Sequence, residues 1–157
     1  MAFLARFVRG FSGSTPSAHL SPQQLARYCY LTGHFSALQN RVLPGAFMPP
    51  KPDPKQPFLA LSVFVIDQLS TEAIHGHGRI HALRDGQPPR AFGAIGASAF
   101  VAQKLAVERN DDRDGNPPLH ADIVGWPKEK SEQKLIALQL ASNSKLHLVE
   151  QLAAVLS

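Results

Sequence analysis

Apolar and polar positions change rhythm several times along this chain, and each change predicts an element. Residues 58–66 (FLALSVFVI) are almost continuously apolar, rich in branched and aromatic side chains, and bounded by Pro57 and Asp67. A short run of that kind suits a strand covered on both faces, so we expect it in the middle of a sheet. Upstream, Ser21-Pro22-Gln23-Gln24 reads as a helix start. Ser21 caps, Pro22 suits the first helical position, Gln24 completes a capping box, and Leu20 and Leu25 close a hydrophobic staple. The predicted helix spans about 22–31 and ends at Gly33. Six prolines between residues 44 and 57 then forbid a helix or an inner strand and predict an extended connector.

Downstream of the apolar strand, Ser70-Thr71-Glu72 opens a short helix that Gly76 and Gly78 should end early. Residues 79–84 alternate weakly and meet a turn at Asp85-Gly86, which predicts a strand. Small residues from Ala91, with Gly93 and Gly96 permitting close backbone approach, predict a strand near 91–95. A short helix near 98–104, a brief strand at 105–109 and another at 119–124 follow. Residues 129–142 carry the best helical pattern of the second half, and 145–156 a further helix whose first residues also suit a strand. No internal repeat is visible. The order predicts an α+β fold: a single small domain over 21–157, with a mixed β-sheet of about four to five strands and helices packed on one face. Residues 1–20 form a separate basic N-terminal arm, in which Phe3, Leu4, Phe7, Val8 and Phe11 share one helical face opposite Arg6 and Arg9.

Charge changes this picture more than composition does. At 157 residues and 44% hydrophobic content the chain can bury a real core. Nothing in it approaches the ~18 consecutive apolar residues of a membrane span. Cys29 is the single cysteine, which excludes an internal disulfide and fits a reducing, cytoplasmic setting. The first acidic residue is Asp53, so Arg6, Arg9, Arg27, Arg41 and Lys51 stand in the first third with no carboxylate to offset them. Such asymmetry suggests an anionic counterpart. The arm suits packing on its own domain or a partner, a targeting or membrane-surface helix, or a nucleic-acid contact.

Candidate chemistry is sparse. His75, His77 and His81 (IHGHGRIH) are spaced for a metal or for proton exchange, but a strand and a helix would pair different members, and no HExxH motif is present. Residues 110–116 (NDDRDGN) start like a calcium loop, then place Ala121 where a bidentate Glu belongs, so an exposed turn explains them better. In 120–127 (HADIVGWP), His120 and Asp122 fall on one strand face. They are the catalytic candidates, with Arg79, His81 or Arg109 from neighbouring strands completing an acid–base or anion site. Trp126, the only tryptophan, either plugs the core or stacks on a ligand. No Walker loop, GxSxG elbow, kinase set or GxGxxG fingerprint appears, and no cofactor is expected.

Three functions follow. The first is an accessory or subunit protein that grips a protein partner or nucleic acid through Arg6, Arg9, Arg27 and Arg41 with Trp126, self-association and peripheral membrane contact remaining open. The second is a small hydrolase of phosphoester or nucleotide substrates using His120, Asp122 and an arginine. The third is a histidine-based metal-binding protein.

Overall fold

Asp67, the residue that closes the apolar run, ties the first two elements together. Its carboxylate accepts from the main-chain N–H of Gln23 (3.1 Å) and Gln24 (2.6 Å), fixing the entry to strand β1, Gln24–Cys29. The apolar run itself is strand β4, Leu61–Val65. In the computed structural model, which describes residues 21–149 apart from 53 and 56, the remaining strands are β2 (Phe35–Ser36), β3 (Arg41–Val42), β5 (Ala91–Gly96), β6 (Ala106–Arg109), β7 (His120–Val124) and β8 (Lys145–Leu148). Helices α1 (Thr71–His81), α2 (Ala97–Ala102) and α3 (Lys130–Ser142) alternate with them, and a 3-10 turn spans Pro44–Phe47. The chain is an α+β protein forming one small domain. Its main sheet has six strands in the order β6-β7-β4-β1-β5-β8, and every neighbouring pair is antiparallel. β4 and β1 are the two central strands, as the continuous apolarity of 58–66 predicts. β2 and β3 make a separate two-stranded hairpin.

The sheet is covered on both faces. Leu25, Cys29, Leu61, Val63, Val65, Ile95 and Ile123 point to the larger core, where Phe47 of the 3-10 turn, Phe100 of α2 and Ala137 and Leu140 of α3 meet them. Ala26, Tyr28, Phe64 and Phe92 point the other way, onto Ile74 of α1. The layers are therefore helix, sheet, helix, and the sheet is wholly antiparallel with one strand more than expected. Among the described residues no helix is long and apolar enough to cross a membrane.

Three segments differ from the sequence reading, and the first is 44–57, which is not extended throughout: Pro44 suits the first turn of the 3-10 helix Pro44–Phe47. Residues 22–31 do not form a helix, because β1 lies between β4 and β5 and its main chain is taken up by both. With both faces of the strand buried, its apolar positions lose the alternation that marks a half-buried strand. Residues 79–84 are not a strand either. Ser70 caps α1 by accepting from the Ala73 N–H at 3.1 Å, and the helix runs through both glycines to His81. Gly78 is there for proximity: a Cβ on it would lie 2.9 Å from Cε1 of Tyr28. Gly93 acts similarly in β5, where a Cβ would lie 2.9 Å from Cγ2 of Val42. The expected helix at 145–156 begins as β8, and residues from 150 onward, like the arm at 1–20, lie outside the described residues.

Candidate active site

β7 lies beside β4 with Asp122 opposite Ser62 and His120 opposite Phe64, so Ser62, His120 and Asp122 emerge on one face. On the far side of β4 the registered pairing with β1 comprises Leu25 with Val65 and Ala26 with Phe64. Beyond it the guanidinium of Arg27 takes over: Nε donates to the Ala46 carbonyl (2.7 Å) and Nη1 to the Ser62 carbonyl (3.0 Å). A pocket of about 700 Å³ opens at this end of the sheet. Ser62, His120 and Asp122 line it together with Arg27, Tyr30, His34, Lys51 and Arg84.

Proton accounting orders the polar groups. A carboxylate at neutral pH only accepts, so Asp122 Oδ2 must receive the amide Nδ2–H of Asn110, at 2.7 Å. That turns Asn110 Oδ1, another pure acceptor, toward His120 Nδ1, which must then carry the ring proton. The lone pair of Nε2 is left facing Ser62 Oγ at 2.8 Å. Asn110 is itself anchored, buried at 3% exposure, with its N–H donating to the His120 carbonyl and its carbonyl accepting from Asn116 Nδ2. The sequence Asp122–Asn110–His120–Ser62 is thus a hydrogen-bonded run ending in a hydroxyl beside a neutral imidazole. A base held by a third group and aimed at a nucleophile is the arrangement nucleophilic catalysis requires. Burial pushes the His120 imidazole below its ordinary value, with Asp122 and Asp111 pulling the other way, so the ring is neutral and proton-accepting near pH 7. Asp122 Oδ1 lies 3.9 Å from Nε2, close enough to favour the imidazolium once it forms.

The other wall is cationic. Arg27 is half-buried, desolvation of its guanidinium lowers its pKa, and among the described residues no carboxylate pairs with it. Arg84 lies 5.6 Å above the Tyr30 ring, whose hydroxyl is fixed on the Ala82 carbonyl at 2.6 Å. His34 accepts at Nδ1 from the Tyr30 and Leu31 N–H groups, and burial with the nearby Arg27 and Arg84 pushes it down to about 4. Both arginines therefore act on the same small volume. A guanidinium that faces a pocket without a carboxylate partner can receive an anion, since Arg is charged throughout the ordinary pH range.

The structure sorts the sequence candidates plainly. It brings His120 and Asp122 together with an arginine, but the arginines are Arg27 and Arg84. Arg79 and His81 sit exposed on α1 and do not line the pocket, because the segment predicted as a neighbouring strand is helical. Arg109 pairs with Asp111 at 3.0 Å. Arg41 is exposed on the β2–β3 hairpin, with Nε on Gln39, and does not line the pocket. Arg6 and Arg9 lie outside the described residues. Trp126 is buried at 8% exposure, donates Nε1–H to the Ile123 carbonyl, and forms a wall of a second, apolar groove. His77 spends Nδ1 on the Tyr28 hydroxyl and Nε2 on the Pro118 carbonyl, and His75 packs on Phe92. Among the described residues no three His, Cys, Asp or Glu converge as metal ligands. Residues 110–116 form a turn tied by Asp111, which accepts from Leu119 N–H.

Sequence reasoning missed Ser62, Tyr30, His34 and Arg84. Ser62 had a signal, as the one polar residue inside FLALSVFVI. Compared with protein-family models, curated proteins and solved structures, the chain matches none.

Proposed function

We propose that the chain is a small hydrolase of phosphoesters, with Ser62 as nucleophile and His120 as general base and acid. The observation that carries this reading is the run Asp122–Asn110–His120–Ser62 opening onto a pocket whose wall holds a half-buried guanidinium with no carboxylate partner among the described residues. Ser62 Oγ attacks phosphorus while its proton passes to His120 Nε2. The ester oxygen leaves, taking that proton from the imidazolium, and Ser62 holds the phosphoryl group. Water then attacks phosphorus, gives a proton to the same nitrogen, and Ser62 departs with that proton restored. Arg27 and Arg84 hold the non-bridging oxygens and offset charge as it develops. Asn110 keeps His120 in the tautomer that makes the first step feasible, and Asp122 keeps Asn110 turned.

The test is hydrolysis of p-nitrophenyl phosphate and ethyl p-nitrophenyl phosphate by the full chain. Ser62→Ala and His120→Ala should each lower kcat/KM by roughly 10³-fold or more, since residues acting as one unit fail together. The rate should hold at neutral pH and fall as acid protonates His120, with the inflection below the ordinary 6.5. Equal turnover by wild type and Ser62→Ala overturns the nucleophile assignment.

A further inference from the structure

The apolar groove adjoins the cationic pocket, and the two share a wall. Pro50, Lys51 and Phe58 line both. The groove encloses about 790 Å³ and is lined further by Pro49, Pro52, Pro57, Val124 and Trp126. Phe58 is 56% exposed and lines both volumes, which leaves its ring available to a ligand in either. Lys51, Lys128 and Lys130 also line the groove, with Glu108 the one carboxylate among its described lining residues. Both volumes fall in the range of ordinary small-ligand sites.

We infer that the two cavities form one bipartite site for a phosphoester carrying a bulky apolar group. The phosphate lies between Arg27 and Arg84, and the apolar group lies over Phe58 along the proline and Trp126 walls. This rests on the hydrolase reading for its chemistry but not for its binding. A short ester fills the cationic half alone and gains nothing from the groove. A long one buries its methylenes against Phe58 and the prolines, at roughly fourfold in affinity per methylene. Lys51 lines both halves and stands at their junction.

Trp126 is the chain's only tryptophan, so its fluorescence reports on the groove without a label. The probes are n-octyl phosphate, kept below its micellar concentration, and ethyl phosphate, titrated into the full chain and into Ser62→Ala to exclude turnover. Octyl phosphate should bind saturably, shift the Trp126 emission and exceed ethyl phosphate by at least about 100-fold in affinity. Phe58→Ser, an exposed position, should remove at least tenfold of that preference, and Arg84→Ala should weaken both probes. Equal affinities for the two probes, or octyl binding indifferent to Arg84→Ala, overturn the bipartite site. The hydrolase reading is judged separately: tight octyl binding with no hydrolysis of any ester removes that reading and leaves the ligand site standing. Brisk hydrolysis of ethyl p-nitrophenyl phosphate with no octyl preference does the reverse.

Discussion

Ser62 shows how one polar side chain in an apolar setting acquires a role. Its neighbours Leu61 and Val63 go to the larger core, so strand geometry turns Ser62 to the opposite face, where His120 and Asp122 arrive from β7. His34 illustrates the cost of burying an imidazole beside two cations. With its pKa held down to about 4 against an ordinary 6.5, the folded chain refuses a proton that the unfolded chain accepts anywhere between those values. The sign follows directly. Stability is full above pH 6.5, declines as the pH falls through that window, and stops declining from this source below about 4. His75, His77, His120 and His147 are also lowered by burial and act in the same direction. Urea midpoints at pH 7.5 and 4.5 should therefore differ markedly for the wild type. His34→Gln, which keeps an acceptor for the Tyr30 and Leu31 N–H groups, should narrow the difference. An unchanged difference would show that His34 titrates normally.

At the scale of elements, α1 carries a contrast two residues apart. A Cβ at Gly78 would meet the Tyr28 ring at 2.9 Å and Cγ of Pro89 at 3.1 Å, and Tyr28 cannot retreat because its hydroxyl is bonded to the Ile74 carbonyl at 2.7 Å. A Cβ at Gly76 would find only the flexible end of Arg79 at 3.5 Å. Gly78→Ala should thus cost about 1–3 kcal/mol through overpacking. Gly76→Ala should add about 0.5–1 kcal/mol through helix propensity. Thermal melts of the two variants should move in opposite directions, and a shared direction would refute the packing account. The same glycines explain why α1 was only partly legible in the sequence: read locally, they stop a helix, and only the facing sheet reveals why they are needed. β1 was hidden for a related reason. Its capping signature at Ser21-Pro22-Gln23-Gln24 is genuine chemistry, but Asp67, more than forty residues away, takes the Gln23 and Gln24 N–H groups instead. Where pattern and environment agree, as in β4, β5, β6, β7 and α3, the elements appear where the sequence places them. The site was half legible for the same reason. His120 and Asp122 share a strand and could be paired by alternation, whereas Arg27, Arg84 and Asn110 reach them only through the fold.

For the whole molecule, charge segregation has a different meaning from a uniform basic face. Of the cations in the first third, Arg27 is built into the domain, Arg41 sits on the hairpin and Lys51 stands between the two cavities. The guanidinium of Arg27 fills the place where β1 and β4 part, and its hydrogen bonds go to carbonyls alone. Global stability is then tied to the salt chosen for the buffer. Any small oxyanion that neutralises this cation binds the native chain and not the unfolded one, and at ten times its dissociation constant adds about 1.4 kcal/mol. In calorimetry at fixed pH and ionic strength, replacing chloride by phosphate should raise the wild-type Tm by about 3–6 °C. The Arg27→Met variant should melt alike in both, and an equal rise there would place the anion elsewhere. A preparation kept in phosphate would thus look sturdier than the same chain kept in chloride.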